Sequence, residues 1–79
     1  MVFICNNQEI TLDDLVKMEQ TPFSRYNKEL NYIICKDPEG KADCRFRMNG
    51  LTPELIVDTL NDLLNIYNTD IVLKLKEEN

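Results

Sequence analysis

The stretch Leu30-Asn31-Tyr32-Ile33-Ile34-Cys35-Lys36-Asp37-Pro38-Glu39-Gly40-Lys41-Ala42-Asp43-Cys44-Arg45-Phe46-Arg47-Met48-Asn49 reads as two strands joined by a turn. Proline presets the first corner of a type I turn, and Gly40 is free to take the left-handed conformation that follows. A three-residue loop between arms 30–37 and 41–49 sets Leu30 opposite Met48, Tyr32 opposite Phe46 and Ile34 opposite Cys44. In that register the apolar side is consistent. The other side carries Asn31, Ile33 and Cys35 against Arg47, Arg45 and Asp43.

After this hairpin, Gly50 ends the strand, Thr52 is placed to cap a helix and Pro53 sits at its first position, where a missing amide costs nothing. The spacing predicts a helix to about Asn68, with Ile56, Leu60, Leu63 and Tyr67 on one stripe and Glu54, Asp58, Asn61, Asp62 and Asn65 opposite. Leu55, Val57, Leu64 and Ile66 widen the apolar arc beyond what one sheet face covers. Asp70 to Lys76 alternates as a half-buried strand, and Glu77-Glu78-Asn79 is expected to fray.

Before the hairpin, Thr11 is positioned to cap a short helix with Asp13 and Asp14 in its first turn, stopped by Thr21-Pro22. Phe23 and Tyr26 are expected in a loop that plugs the core edge. Val2-Phe3-Ile4-Cys5 has the character of a central strand, and Asn6-Asn7, tolerant of positive φ, can turn Gln8-Glu9-Ile10 back as a further arm. The expected fold class is α+β: a four-stranded antiparallel sheet, five if residues 6–10 add a strand, with both helices on one face. The element order βαββαβ resembles the ferredoxin-like arrangement; a ββαββαβ meander is the alternative.

The 79 residues are expected to form one domain spanning 1–79. Composition is that of a folded protein, at 43% hydrophobic and 29% charged. Fourteen acids against nine bases, a net charge of −5, argue against a protein devoted to neutralising a phosphate backbone. The chain has no histidine and three cysteines, Cys5, Cys35 and Cys44, without CxxC spacing, which argues against zinc and iron–sulfur sites. Each cysteine lies in an apolar run and is expected to act as a small buried hydrophobe. Free thiols, and an N-terminal apolar run too short for a leader or a membrane span, point to a cytoplasmic location.

No Ser-His-Asp, phosphate-loop or dinucleotide motif is present, so the expectation is a non-catalytic chain without cofactor or metal. Asp58 and Asp62, at i and i+4, share a helix face but need a third oxygen ligand to hold a cation. With both helices on one side of the sheet, the open side would gather Phe3, Ile33, Arg45, Arg47, Val72, Lys74 and Lys76 as a basic, partly apolar binding face. Glu54, Asp58 and Asp62 offer an alternative acidic face. The expected function is a protein-binding regulatory domain, an adaptor or inhibitor of phage or mobile-element type, acting on a protein partner or on itself as a homodimer. The alternative is a binder of single-stranded nucleic acid or a nucleotide-like ligand through the basic sheet face.

Overall fold

A computed structural model describes residues 1–37 and 39–76. Two three-stranded antiparallel sheets and two helices follow in the order β1 (Phe3–Cys5), β2 (Gln8–Ile10), α1 (Leu12–Lys17), β3 (Phe23–Asn27), β4 (Tyr32–Cys35), β5 (Cys44–Arg47), α2 (Pro53–Ile66) and β6 (Lys74–Leu75). The α+β class is as expected; the single four-stranded sheet is not. β1 is the centre of the first sheet, with β2 on one edge and β6 on the other, so it has no edge left for the hairpin strand β5. The second sheet is a meander in which β4 is central between β3 and β5.

Local chemistry explains the elements. Asn6 and Asn7 take φ of 50° and 64°, forming a two-residue link that pairs Cys5 with Gln8 and creates the further arm. Thr11 caps α1 through a capping box: the Asp14 amide donates to its hydroxyl, and its own amide donates to the Asp14 carboxylate at 2.9 Å. At the other end, the buried Thr21 hydroxyl reaches the carbonyls of Leu15 and Met18 at 2.9 and 3.0 Å. Thr52 caps α2, Pro53 opens it, and Asn68 at φ 58° closes it in the left-handed conformation while the Thr69 amide returns to the Leu64 carbonyl.

Both sheets and both helices contribute to one core, which includes Phe3, Leu15, Phe23, Ile33, Met48, Leu60, Leu64 and Leu73. Phe23 and Tyr26 lie in a strand, β3, and not in a loop. The polar run Ser24-Arg25-Tyr26-Asn27 hides the alternation that marks a strand because a bulge interrupts the pairing between Phe23 and Arg25. On α2, Val57 and Leu64 join the core, whereas Leu55 and Ile66 stay 48% and 59% exposed.

Asn61, expected toward solvent, instead acts as a strand substitute. Its Nδ2 donates to the Leu73 carbonyl at 2.9 Å, and its Oδ1 accepts from the Leu73 amide at 2.8 Å. With Leu73's backbone groups taken by a side chain, regular pairing starts only at Lys74, so the expected strand 70–76 shrinks to two residues. The inward alternation of Ile71, Leu73 and Leu75 nevertheless holds.

The hairpin closes in a different register from the expected one. Tyr32 faces Arg47, Ile33 faces Phe46, Ile34 faces Arg45 and Cys35 faces Cys44, a shift of one residue. The link 36–43 is organised by Asp37, whose carboxylate accepts from the amides of Glu39, Lys41 and Ala42 at 3.2, 2.9 and 3.1 Å. Those bonds hold Asp37 outside the ladder and move the start of pairing back to Cys35. Gly40 takes φ 73° as expected. The turn corner assigned to Pro38 and the fraying assigned to Glu77-Glu78-Asn79 lie outside the described residues.

Candidate functional site

Because side chains alternate across a strand, the one-residue shift exchanges the two faces of β4 and leaves those of β5 as expected. Ile33 and Cys35 turn into the core, and Phe46 packs against it from β5. Arg25, Ile34 and Arg45 then form one cross-strand row of the outer face, and Asn27, Tyr32 and Arg47 form the next. The bulge at Ser24 is what makes this possible. Phe23 and Arg25, two apart in sequence, would otherwise share a face; the extra residue sends Phe23 inward and Arg25 outward.

These are the three arginines of the chain, and all are exposed. The residues of β3, β4 and β5 include no carboxylate. Among the described residues, no ion pair engages Arg25, Arg45 or Arg47; the salt bridges are Lys41 with Glu39 at 3.0 Å and Lys76 with Glu9. At the centre, the Arg45 guanidinium lies 4.5 Å from the Tyr32 ring centroid, and Asn27 Nδ2 donates to the Tyr32 hydroxyl at 3.4 Å. Tyr32 is therefore held from two sides, half-buried beside half-buried Ile34. A preset aromatic and aliphatic floor framed by guanidinium groups can take up carboxylates in paired hydrogen bonds while covering apolar contacts.

The expected sheet face does not exist as one surface. Phe3 and Ile33 are core residues at 0% exposure, because the central strand β1 turns Phe3 into the shared core and the register puts Ile33 inside. Val72, Lys74 and Lys76 belong with the first sheet: Lys74 pairs with Ile4 of β1, Lys76 is ion-paired with Glu9, and Val72 is 64% exposed ahead of β6. Of that set, Arg45 and Arg47 remain together, joined by Arg25, Asn27, Tyr32 and Ile34, which sequence reasoning left out. Arg25 was hidden by the bulge. The expected hairpin register points Tyr32 and Ile34 inward, whereas the observed one turns them outward.

The acidic set is a real surface: Glu54, Asp58 and Asp62 are all exposed on α2. Among the described residues, no group of three or more cysteine or carboxylate side chains is arranged to hold a metal ion. No described helix is long and apolar enough to cross a membrane. Comparison with protein-family models, with curated proteins and with solved structures finds no match to this chain.

Proposed function

We propose that the chain is a non-catalytic, protein-binding regulatory domain that docks an acidic surface of a protein partner onto the outer face of β3, β4 and β5. The observation that carries this reading is the convergence of Arg25, Arg45 and Arg47 around Tyr32 and Ile34 on one exposed face free of strand carboxylates. Tyrosine and arginine are the side chains that most often dominate binding energy at interfaces, and here they are already in contact.

The extent of the face favours a compact partner over an extended polyanion. Three strands at about 4.8 Å spacing and four residues at about 3.3 Å rise make a patch of roughly 10 by 13 Å. Glu29 lies in the turn at one end, and Glu39 and Asp43 lie at the other. A nucleic-acid strand running past the patch would meet those carboxylates within a nucleotide or two. A protein's finite acidic cluster would not.

The test is affinity capture with three baits side by side: the native chain, Arg45→Glu with Arg47→Glu, and Asp58→Lys with Asp62→Lys. The expected result is a partner held by the first and third baits and lost from the second, with retention falling as salt rises. Loss only from the third bait would move the site to the α2 carboxylates. Saturable binding of oligothymidylate by the native chain, abolished in the arginine variant, would replace the protein partner with single-stranded nucleic acid.

A further inference from the structure

The shift in hairpin register has a second chemical consequence: it brings two cysteines face to face. Cys35 on β4 and Cys44 on β5 are direct cross-strand partners, so their side chains leave the same face of the sheet. Directly opposed residues of an antiparallel pair have Cα atoms about 4.5–5.5 Å apart, inside the roughly 4.4–6.8 Å range that a disulfide spans. Both are free thiols. They differ in access, since Cys35 is 2% exposed in the core and Cys44 is exposed on the edge strand. The Cys35 thiol donates to the Lys36 carbonyl at 3.8 Å, and the Tyr67 hydroxyl and Cys44 lie close enough to act on its ionisation.

We propose that Cys35 and Cys44 form a thiol–disulfide exchange site whose reactant is a low-molecular-weight disulfide such as glutathione disulfide. The exposed Cys44, as thiolate, attacks one sulfur of the small disulfide; that S–S bond breaks and one small thiolate leaves. Cys35 then gives its proton to solvent and attacks the Cys44 sulfur, forming the Cys35–Cys44 bond and releasing the second small thiolate. Two protein thiols are oxidised, and one small disulfide is reduced to two thiols. Burial holds the Cys35 thiol above its ordinary 9.0, with the Tyr67 hydrogen bond opposing that shift, so ring closure accelerates by about tenfold per pH unit through the neutral range. The product ties the edge strand β5 to the central strand β4, next to Arg45. Cys5, on β1, takes no part. The site is independent of the docking proposal.

The experiment incubates the intact native chain with glutathione disulfide under non-denaturing conditions and reads free thiols, intact mass and tryptic peptides. The expected product has lost two titratable thiols and about 2 Da, carries no glutathione, and yields a peptide linking Cys35 to Cys44. Cys44→Ser, a change at an exposed position, should abolish the product while leaving the circular dichroism spectrum of the fold unchanged. Cys5→Ser should leave the product intact. A stable glutathionylated Cys44, a covalent dimer through Cys44, or a link that involves Cys5 would each overturn the assignment.

Discussion

Replacing Ile33 by alanine, beside the same change at Ile34, measures the register on which the candidate face depends. Ile33 is fully enclosed between Tyr26 and Phe46 in the central strand of the second sheet. Removing about three methylene equivalents at roughly 0.8 kcal/mol each forfeits about 2.4 kcal/mol of transfer energy, and the cavity left in a closed core brings the loss to about 3–4 kcal/mol. Ile34 is half-buried on the outer face between Arg25 and Arg45, so alanine there loses about half the transfer energy, opens no cavity and costs about 1 kcal/mol. Against a total of roughly 4–12 kcal/mol for a chain of this size, the first change is severe and the second mild. At roughly 4–8 °C per kcal/mol, the expected fall in Tm is about 20 °C for Ile33→Ala and about 6 °C for Ile34→Ala. Urea unfolding followed by circular dichroism, with matching m values, supplies the free energies. Equal losses, or a larger loss at Ile34, would refute the register and dissolve the arginine face with it.

Asn61→Ala leaves the amide and carbonyl of buried Leu73 without their partner and should cost about 2–3 kcal/mol in urea, whereas Asp62→Ala on the same helix should stay within about 0.5 kcal/mol. Asn7→Val forces a β-branched residue into positive φ and should cost about 1–2 kcal/mol, while Asn7→Gly should be neutral within about 0.5 kcal/mol in the same assay. The Asp37 carboxyl is held below its ordinary 3.8 by the amides of Ala42, Glu39 and Lys41, and that of Asp14 by the Thr11 amide and hydroxyl. A folded-state value below the unfolded one means stability fully present above about pH 5 and lost as pH falls through 3.8 and lower; the urea midpoint should therefore drop on acidification, less steeply in Asp37→Asn, and a flat acid limb in the native chain would contradict this. Light scattering should give a monomer mass at low and high salt; growth with concentration at low salt would mean that the arginine face receives another copy of this chain.

How much of this was legible in the sequence depended on whether local chemistry or pairing decided each element. Thr11 with Asp14, Thr52 with Pro53, and Asn6-Asn7 act through bonds within a few residues, and each holds in the structure as expected. The hairpin strands were also evident, but their register was not. Two isoleucines in succession, Ile33-Ile34, satisfy either face, and the deciding contribution comes from Asp37, whose carboxylate gathers three amides of the link. β3 failed for a related reason, since a bulge at Ser24 breaks the period of two that marks a strand. Asn61 looks like one more polar residue on a solvated helix face until Leu73 is placed beside it. The candidate face was missed because it is assembled from these features: a bulge, a register set by a turn carboxylate, and arginines from two strands, one on β3 and two on β5.

The same geometry bears on the expected homodimer. The buried stripe of α2 and the inner face of the second sheet meet in one core, so the α2 carboxylates and the three arginines point away from each other. A two-fold dimer places the same patch of each subunit against its mate. Arginine face against arginine face would oppose like charges, and the acidic faces of two helices would do the same. Pairing the arginines of one copy with Glu54, Asp58 and Asp62 of the next is electrostatically favourable, but with the two faces on opposite sides it propagates head to tail and does not close as a pair. A chain with a net charge of −5 also repels its own copies at a distance, whereas an acidic cluster on a different, less acidic protein escapes that penalty. Charge placement thus favours a separate protein as the occupant of the β3–β4–β5 face over a second copy of this chain.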